Sequence, residues 1–219
     1  MLTAQKKQFI EFMLGAQVLR FGDFVTKSGR NTPYFVNTGH YKTGAQLAAL
    51  GRYYAASIER CCGSDFTALF GPAYKGIPLA AVTAATLMTQ YGIDKPYFFN
   101  RKEEKDHGEG GSLVGYLPQD GDKILIVEDV ITAGTALREV IPVLRGCAAV
   151  TVPHMFISVD RCEIGKDTDK TAVQQVKEEF GIEVHAIVTV RDIREYLAEQ
   201  GTDADLLERM DAYMAQYCV

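Results

Sequence analysis

The chain has 219 residues and a formal net charge of −5, a length that suits one domain with a sizeable core. This acidic balance argues against a protein that binds nucleic acid through a broad basic surface. The chain has no apolar run long enough to span a bilayer, and its first residues lack the apolar core of a signal peptide. We therefore predict a single domain over residues 1–219, located in the cytoplasm, with no membrane or nucleic-acid partner.

The cysteines and histidines give no sequence motif for a metal or a disulfide. The chain has an odd number of cysteines and no C-x-x-C pair, which argues against a disulfide framework or a zinc site. We interpret most of the cysteines as reduced core thiols: Cys61, Cys62, Cys147, Cys162 and Cys218. We interpret His40, His154 and His185 as structural or surface residues.

The chain begins with a predicted helix and hairpin. Apolar periodicity predicts an amphipathic helix over residues 8–19. Two short strand-like runs follow at 21–26 and 34–37, joined by a turn-rich segment that is typical of a hairpin. We expect residues 1–40 to form most of a small hood.

After the hairpin, predicted strands and helices alternate. Strands are predicted at 66–70, 97–99, 124–127, 149–159 and 184–190, and helices at 43–61, 77–91, 137–147, 171–180 and 203–217. We expect Thr43 to cap the first of these helices and Gly63 to end it. Pro142 predicts a kink or an early end in the helix that contains it. The alternation predicts an α/β protein with a mainly parallel sheet and helices on both faces.

Two segments between these elements have unusual composition. The strand at 66–70 leads directly into Gly71-Pro72-Ala73-Tyr74-Lys75-Gly76, a turn that can present backbone N–H groups to an anion, and Lys75 adds a full positive charge. The segment 101–111 has no apolar residue, three glycines and alternating charge. Composition alone favours a solvated, mobile loop there, although active-site lids are drawn from such segments.

Three signals follow one another without a spacer at residues 123–138. Residues 124–127 form the continuous apolar run of a strand that helices cover on both faces. Glu128 and Asp129 come at its carboxyl end, where open α/β sheets bind their ligands. Residues 132–135 then form a turn of small side chains that opens a helix, whose amino end favours a phosphate. Together these features predict a pocket for a sugar phosphate.

Parts of this stretch are shared with other kinds of site. It lacks the G-x-x-x-x-G-K-[ST] string of a Walker loop. An aspartyl-phosphate receiver also has an acid pair after an apolar strand, but normally near the start of its domain, whereas this pair lies in mid-chain. Each feature taken alone fits an ordinary strand with solvated acids and a helix cap.

The run Glu128-Asp129-Val130-Ile131-Thr132-Ala133-Gly134-Thr135-Ala136 closely resembles the phosphoribosyl-diphosphate (PRPP) motif of the type I phosphoribosyltransferases. In that family the acid pair holds the ribose 2- and 3-hydroxyls, and the turn wraps the 5-phosphate. The resemblance implies that all nine residues of this run bind PRPP.

Three further segments, 27–37, 71–76 and 101–111, make the chain resemble the bacterial orotate phosphoribosyltransferases nearly end to end. The likeness is weakest between residues 162 and 180. It implies that orotate and PRPP react to give orotidine 5′-monophosphate and diphosphate in UMP biosynthesis, with Mg²⁺ as the cofactor, held mainly by PRPP near Asp129. It also implies a homodimer in which a flexible lid at about 101–113 reaches the partner's site.

The same resemblance implies roles for individual side chains. The implied contacts to orotate are Lys27, Phe35, Val36, Thr132 and Arg161. PRPP would further be held by Tyr74, Lys75, Arg101, Lys102, Lys105 and His107, and the catalytic residues would be Lys105, His107, Asp129 and Arg101. The family commonly has a second aromatic residue at position 36, so we expect a backbone contact from Val36.

Two other functions remain open from the sequence. One is phosphoribosyl transfer to another base. The segment with Lys27 and Phe35 distinguishes this chain from the enzymes for other bases. The other is a non-catalytic regulator that senses PRPP and binds nucleic acid. The acidic balance and the intact cations of the lid argue against that regulator.

Overall fold

The computed structural model describes residues 2–26, 29–102, 112–131, 135–165 and 168–219. Its strands are β1 (Leu19–Val25), β2 (Asn31–Val36), β3 (Ala68–Gly71), β4 (Tyr97–Asn100), β5 (Leu113–Gly115), β6 (Lys123–Val127), β7 (Thr151–Asp160) and β8 (Glu183–Thr189). Its helices are α1 (Ala4–Gly15), α2 (Gly44–Cys62), α3 (Gly76–Tyr91), α4 (Thr135–Cys147), α5 (Ala172–Phe180), α6 (Val190–Glu199) and α7 (Ala204–Tyr217), with a 3-10 turn at Thr38–His40.

The main sheet has the strand order β5-β4-β3-β6-β7-β8. All neighbouring pairs in it are parallel except β5 with β4. The strand β6 lies at the centre, with Ile126 in register with Phe70 of β3 and Met155 of β7. The predicted α/β class with a mainly parallel sheet is confirmed.

The core lies on both faces of this sheet. Leu125 and Val127 of β6 belong to an apolar cluster with α1, α2, α3, α6 and α7. Ile124 and Ile126 face the other way, into a cluster with α4 and α5. All four side chains are fully buried, because successive residues of a strand point to opposite faces. This explains the unbroken apolar run in the sequence.

The strands β1 and β2 form a separate antiparallel hairpin, with Phe21 opposite Tyr34. Tyr34 is fully buried, and its ring meets that of Tyr213 on α7 edge to face, with centroids 5.8 Å apart. The predicted hairpin is confirmed. The assignment of residues 1–40 to a hood and the single-domain division stay predictions.

Caps fix several helix boundaries as expected. Thr43 accepts a hydrogen bond from the backbone of Gln46, whose side chain bonds back to Thr43 N, and Gly63 ends α2. The first helix was predicted at 8–19, which was wrong at both ends. It begins after Thr3, which caps it, and it stops at Gly15. Gln17 adopts a positive φ of 57°, a conformation that no helix continues through.

The sequence did not predict β5 or α6, and the kink or early end predicted at Pro142 was partly wrong. The three-residue strand β5 is too short to show a periodicity. The helix α6 begins at Val190, which was predicted to end a strand, because Thr189 and Asp192 form a capping box there. The helix α4 runs through Pro142 to Cys147, so the early end was wrong. It buries Leu137, Val140, Ile141 and Leu144, at about 1.5–3 kcal/mol each, against a cost of about 3 kcal/mol for an internal proline.

The interpretation of most cysteines as core thiols was wrong. All five are free; Cys61 and Cys147 are exposed, and Cys162 is the buried one. Cys61, Cys62 and Cys147 lie at the carboxyl ends of α2 and α4, where helices emerge from the core. Within the described residues, no helix is both long and apolar enough to cross a membrane.

Candidate active site

Two loops predicted to bind PRPP lie side by side at one edge of the sheet. The turn 71–76 follows β3, and the acid pair Glu128-Asp129 follows β6. The two strands are hydrogen-bonded parallel neighbours, so their carboxyl ends meet at the same edge. The next strand, β7, ends there also, just before Arg161. This edge is where open parallel sheets bind their ligands.

Core side chains hold the backbone of the acid pair. The hydroxyl of Tyr54, on α2, donates to the carbonyl oxygen of Glu128 at 2.7 Å. The carbonyl of Asp129 accepts from both the backbone N and the Oγ of Ser158, at 2.9 and 2.6 Å. Tyr54 and Ser158 are both buried. Hydrogen bonds from buried side chains therefore fix the backbone of Glu128 and Asp129 at the start of a loop.

The carboxylate of Asp129 is already paired without a ligand. Its Oδ2 lies 2.8 Å from Lys75 Nζ and 2.5 Å from Thr38 Oγ1, and its Oδ1 accepts from Val130 N at 2.6 Å. Lys75 Nζ also donates to Thr38 Oγ1 at 3.0 Å. The Asp129 side chain is 10% exposed, whereas that of Lys75 is 61% exposed. The acid is thus fixed, and the lysine is free to reach solvent.

Glu128 differs in charge from its neighbour. Burial raises the pKa of Glu128 to about 8, and the adjacent Asp129 carboxylate adds to this, against a backbone hydrogen bond from Asp129 N that lowers the pKa. That bond is 2.8 Å long and ends on Glu128 Oε1. At neutral pH Glu128 is therefore largely protonated in the ligand-free protein.

The turn 71–76 needs both of its glycines. A Cβ on Gly71 would lie 2.2 Å from the carbonyl oxygen of Gly76, and one on Gly76 would lie 2.9 Å from that of Val127. The peptide bond between Ala73 and Tyr74 is cis. The helix α3 follows with no side-chain cap at Lys75. Backbone N–H groups and the Lys75 ammonium are thus grouped at one helix end, an arrangement that suits an anion.

Exposed groups beside this turn extend the positive charge. The side chain of Tyr74 is 66% exposed, and Lys102 Nζ lies 5.2 Å from the centre of its ring. The backbone N of Arg101 donates to Ser112 O at 2.7 Å, so these two residues, on either side of the segment 103–111, lie side by side. Lys102 is therefore close to the diphosphate side of the predicted pocket.

Arg161 is engaged within the protein. Its Nε donates to Glu163 Oε1 at 2.8 Å, and its Nη2 lies 2.7 Å from the same oxygen. Its guanidinium lies 5.0 Å from the ring centre of Tyr34. Glu163 Oε1 also accepts from Tyr213 OH at 2.7 Å and from Tyr34 OH at 3.2 Å. Glu163 therefore orients Arg161 and offsets its charge.

Phe35 and Val36 lie in β2, next to Tyr34. The ring of Phe35 stacks on Phe24 with centroids 5.4 Å apart, and Arg20 lies 5.8 Å from it. Because adjacent strand residues point to opposite faces, the side chains of Phe35 and Tyr34 lie on opposite faces of β2. Val36 is partly buried against the core and lies opposite Leu19 of β1, and the backbone contact to orotate stays a prediction.

Several predicted site residues lie outside the described residues: Lys27, Lys105, His107, Thr132, Ala133 and Gly134. Thr135 and Ala136 are in the first turn of α4. Val130 and Ile131 pack part of their side chains against the two core clusters, and Val130 N donates to Asp129 Oδ1. The individual binding and catalytic roles stay predictions.

Sequence reasoning missed the residues that hold the predicted ones. Thr38 contacts Asp129, Tyr54 and Ser158 fix the backbone of the acid pair, and Glu163 pairs with Arg161. These partners are separated by up to 91 residues along the chain. Only the spacing Arg161-Cys162-Glu163 was a local signal, since two opposite charges stand two residues apart after a strand.

The fold and the loops at its carboxyl edge define a phosphoribosyltransferase. A model of the phosphoribosyl transferase domain matches residues 37–193. The chain is 49% identical to the orotate phosphoribosyltransferase of Clostridium beijerinckii over 99% of both chains, and 49% identical to that of Yersinia enterocolitica over 100% of both. It superposes on the crystal structure of orotate phosphoribosyltransferase from Francisella tularensis with a TM-score of 0.88, at 40% identity, covering 97% of this chain and 100% of the other. The chain belongs to the orotate phosphoribosyltransferase family.

Proposed function

We propose that the protein transfers the 5-phosphoribosyl group of PRPP to orotate in the cytoplasm, giving orotidine 5′-monophosphate and diphosphate for UMP biosynthesis. The observation that carries the proposal is the contact between Lys75 and Asp129. It joins the turn that we assign to the diphosphate to the acid that we assign to the ribose, at the carboxyl ends of the parallel strands. The test is to incubate PRPP, orotate, Mg²⁺ and the protein, and to identify both products by mass spectrometry in equal amounts.

The acid pair binds the ribose of PRPP in this account. Carboxylate oxygens accept hydrogen bonds from hydroxyls, and Tyr54 and Ser158 hold the backbone that carries them. PRPP brings a diphosphate whose charge attracts Lys75 more strongly than one carboxylate does. We expect Lys75 to move to the diphosphate, which its exposed side chain allows. Asp129 Oδ2 is then available to accept a hydrogen bond from a ribose hydroxyl.

The 5-phosphate is assigned to the run from Val130 to Ala136. The residues from Thr132 to Ala136 have small side chains, which suit a close approach of a phosphate to the backbone, and the positive amino end of the helix α4 favours a phosphate there. Ile131 anchors the start of this run by packing against the core. The 5-phosphate thereby sets the position of the anomeric carbon relative to Asp129.

The leaving group is assigned to Tyr74, Lys75, Lys102 and the lid residues Arg101, Lys105 and His107. Diphosphate gains negative charge as the bond to the anomeric carbon breaks, so cations around it stabilise the transition state more than the ground state. The ribosyl group becomes oxocarbenium-like, by analogy with glycoside cleavage. Closure of the lid would keep water from this cation.

Orotate is assigned to Lys27, Phe35, the backbone of Val36, Thr132 and Arg161. Orotate is a planar anion, so two cations and an aromatic ring suit it. Support comes from the Glu163 contact, which holds the Arg161 guanidinium in one orientation. An oriented arginine selects a base by the positions of its oxygen atoms.

The residues of the site fit Mg²⁺ held mainly by PRPP. Asp129 already accepts from Lys75, Thr38 and Val130, and burial favours the protonated form of Glu128, so the protein offers few direct ligands. Mg²⁺ keeps several waters and binds substrate phosphates, and when bound it would neutralise diphosphate charge. Asp129 is the acid we expect to hold it, through water.

We further propose a homodimer in which the lid of one subunit serves the site of the other. The segment 101–111 carries cations but no apolar anchor to its own subunit. A candidate contact surface is at the end of α3 and the start of β4, where Met88, Tyr91 and Tyr97 are exposed. Pairing by a two-fold axis would bury the same patch of both subunits.

A further inference from the structure

Three ligand-type side chains meet at the opposite edge of the main sheet. His154 lies near the start of β7, His185 near the start of β8, and Cys61 in the last turn of α2. Cys61 Sγ lies 3.4 Å from His185 Nε2, and His185 Nε2 lies 3.0 Å from His154 Nδ1. The three atoms all lie within 4.8 Å of one another. The sequence interpretation gave neither histidine such a role.

We propose that Cys61, His154 and His185 bind one divalent d-block ion, with Zn²⁺ as the best fit and a fourth position open to solvent. Zn–N bonds of about 2.05 Å and a Zn–S bond of about 2.3 Å in a tetrahedron place two nitrogens about 3.3 Å apart and sulfur about 3.6 Å from nitrogen. The separation of His154 Nδ1 from His185 Nε2 and that of Cys61 Sγ from His185 Nε2 are within a few tenths of an ångström of these values, and Cys61 Sγ lies within 4.8 Å of His154 Nδ1. Small side-chain rotations therefore complete the site.

The scaffold holds the two imidazoles in place. The strands β7 and β8 are parallel neighbours, with Phe156 in register with His185. The rings of Phe156 and His185 stack with centroids 5.0 Å apart and an interplanar angle of 22°. Both histidines are half-buried, while Cys61 is exposed. An ion can thus enter from solvent past the thiol and meet imidazoles whose directions are set by the sheet.

The donor set selects against Mg²⁺. Thiolate and imidazole suit Zn²⁺, whereas Mg²⁺ prefers oxygen ligands. On binding, the Cys61 thiol gives up its proton, and the proton between His154 Nδ1 and His185 Nε2 moves to the outer nitrogen of the ring that carries it. Each imidazole then stays neutral, so one proton leaves per ion. Cys62 is not part of the site, since its Sγ donates to Ile58 O at 3.5 Å.

The site is remote from phosphoribosyl transfer. His154 precedes Asp160, at the carboxyl end of β7, by six residues, which is about 20 Å along a strand. A bound ion would tie the end of α2 to the starts of β7 and β8. We therefore expect it to stabilise the fold and to leave catalysis unchanged.

The first test titrates ZnCl₂ into the chelator-treated full-length protein by isothermal calorimetry in the presence of Mg²⁺. We expect one Zn²⁺ per chain. Cys61→Ser and His185→Asn should each weaken binding at least about tenfold, and Cys147→Ser should not. Cys147 is the matched control because it is another exposed cysteine in the last turn of a helix. Equal affinity in Cys61→Ser and wild type, or an equal loss in Cys147→Ser, would overturn the site.

A second test needs no variant to be decisive. Co²⁺ added to the wild-type protein should give a thiolate-to-cobalt charge-transfer band and the intense visible bands of tetrahedral coordination. The charge-transfer band should be lost in Cys61→Ser, whose rate of orotate consumption should equal that of wild type. Absence of a thiolate band in the wild-type protein would overturn the proposal even if every variant failed to fold.

Discussion

Lys75 Nζ lies 2.8 Å from Asp129 Oδ2, so one ammonium group links the turn after β3 to the acid after β6 before any substrate is bound. Thr38 bonds to both partners. Lys75 supplies a counter-charge to the nearly buried carboxylate of Asp129. It also keeps the cation at the place where a diphosphate is expected to bind.

Asp129→Asn should lower kcat by about a hundred- to a thousandfold, because one preorganised electrostatic contact to the transition state is lost. The variant should keep its fold, since asparagine has the same shape and Tyr54 and Ser158 hold the backbone. Steady-state kinetics and circular dichroism check this. Asp94→Asn, at an exposed acid after α3, is the control and should match wild type. Wild-type kinetics in Asp129→Asn would exclude a role at the ribose.

The stability of the ligand-free protein should depend on Glu128 through pH. Its pKa is about 8 in the fold against an ordinary 4.5, so the folded protein keeps a proton that the unfolded chain releases. The contribution of this proton to the stability of the fold is fully present below about pH 4.5 and is lost as pH rises through about 8. Melting temperatures from pH 5 to 9 should therefore fall more steeply in wild type than in Glu128→Gln. Glu139→Gln, an exposed acid on α4, should keep the wild-type slope; equal slopes in all three would contradict the assignment.

Glu163→Gln should destabilise the protein and weaken orotate binding together. Glu163 accepts from Arg161, Tyr34 and Tyr213, and the side chains of Arg161 and Glu163 are only 20% and 17% exposed. Loss of its charge leaves Arg161 uncompensated, at about 1–3 kcal/mol after allowance for the remaining solvent. Urea unfolding measures this loss, and KM for orotate should rise more than KM for PRPP.

The exposed pair of Lys170 and Glu178, with side chains 46% and 57% exposed, offers a control for that variant. Glu178→Gln should cost less than about 1 kcal/mol and leave both KM values unchanged. If Glu163→Gln behaved in the same way, the network around Arg161 would have no part in binding.

Much of the fold could be predicted because its signals are local. The apolar run at residues 124–127 predicts a strand covered on both faces. Thr43, Gln46 and Gly63 mark the ends of α2. The strand β5 has three residues and pairs only at an edge, so no pattern marks it. The start of α6 was hidden because Val190 continues a β-branched run, which the capping box of Thr189 and Asp192 divides at Thr189.

The site also has a part that local sequence predicts and a part that depends on distant contacts. Glu128 and Asp129 were predicted because strand-end acids are a local feature, and the nearness of Lys75 follows from two parallel neighbouring strands. The contact of Asp129 with Thr38 spans 91 residues, and that of Glu163 with Tyr213 spans 50. Such pairs depend on how the hairpin and α7 pack over the sheet, which no local pattern encodes.

The shared lid can be tested by mixing subunits. Lys105→Ala and Asp129→Asn should each be nearly inactive as homodimers. After exchange, one site of the heterodimer combines an intact Asp129 with an intact Lys105 of the other chain, while the second site carries both changes. Activity should therefore return on mixing. If native mass spectrometry shows heterodimers and no activity returns, the lid serves its own subunit.

The assay that tests the central claim most directly is the fall in orotate absorbance when PRPP and Mg²⁺ are added, with uracil, hypoxanthine and adenine followed in parallel. We predict rapid loss of orotate that requires all three components and stops when a chelator removes the metal, with far lower kcat/KM for the other bases. Turnover of uracil or hypoxanthine at an efficiency comparable with that of orotate would contradict the assignment of Lys27, Phe35 and Arg161 to the orotate anion.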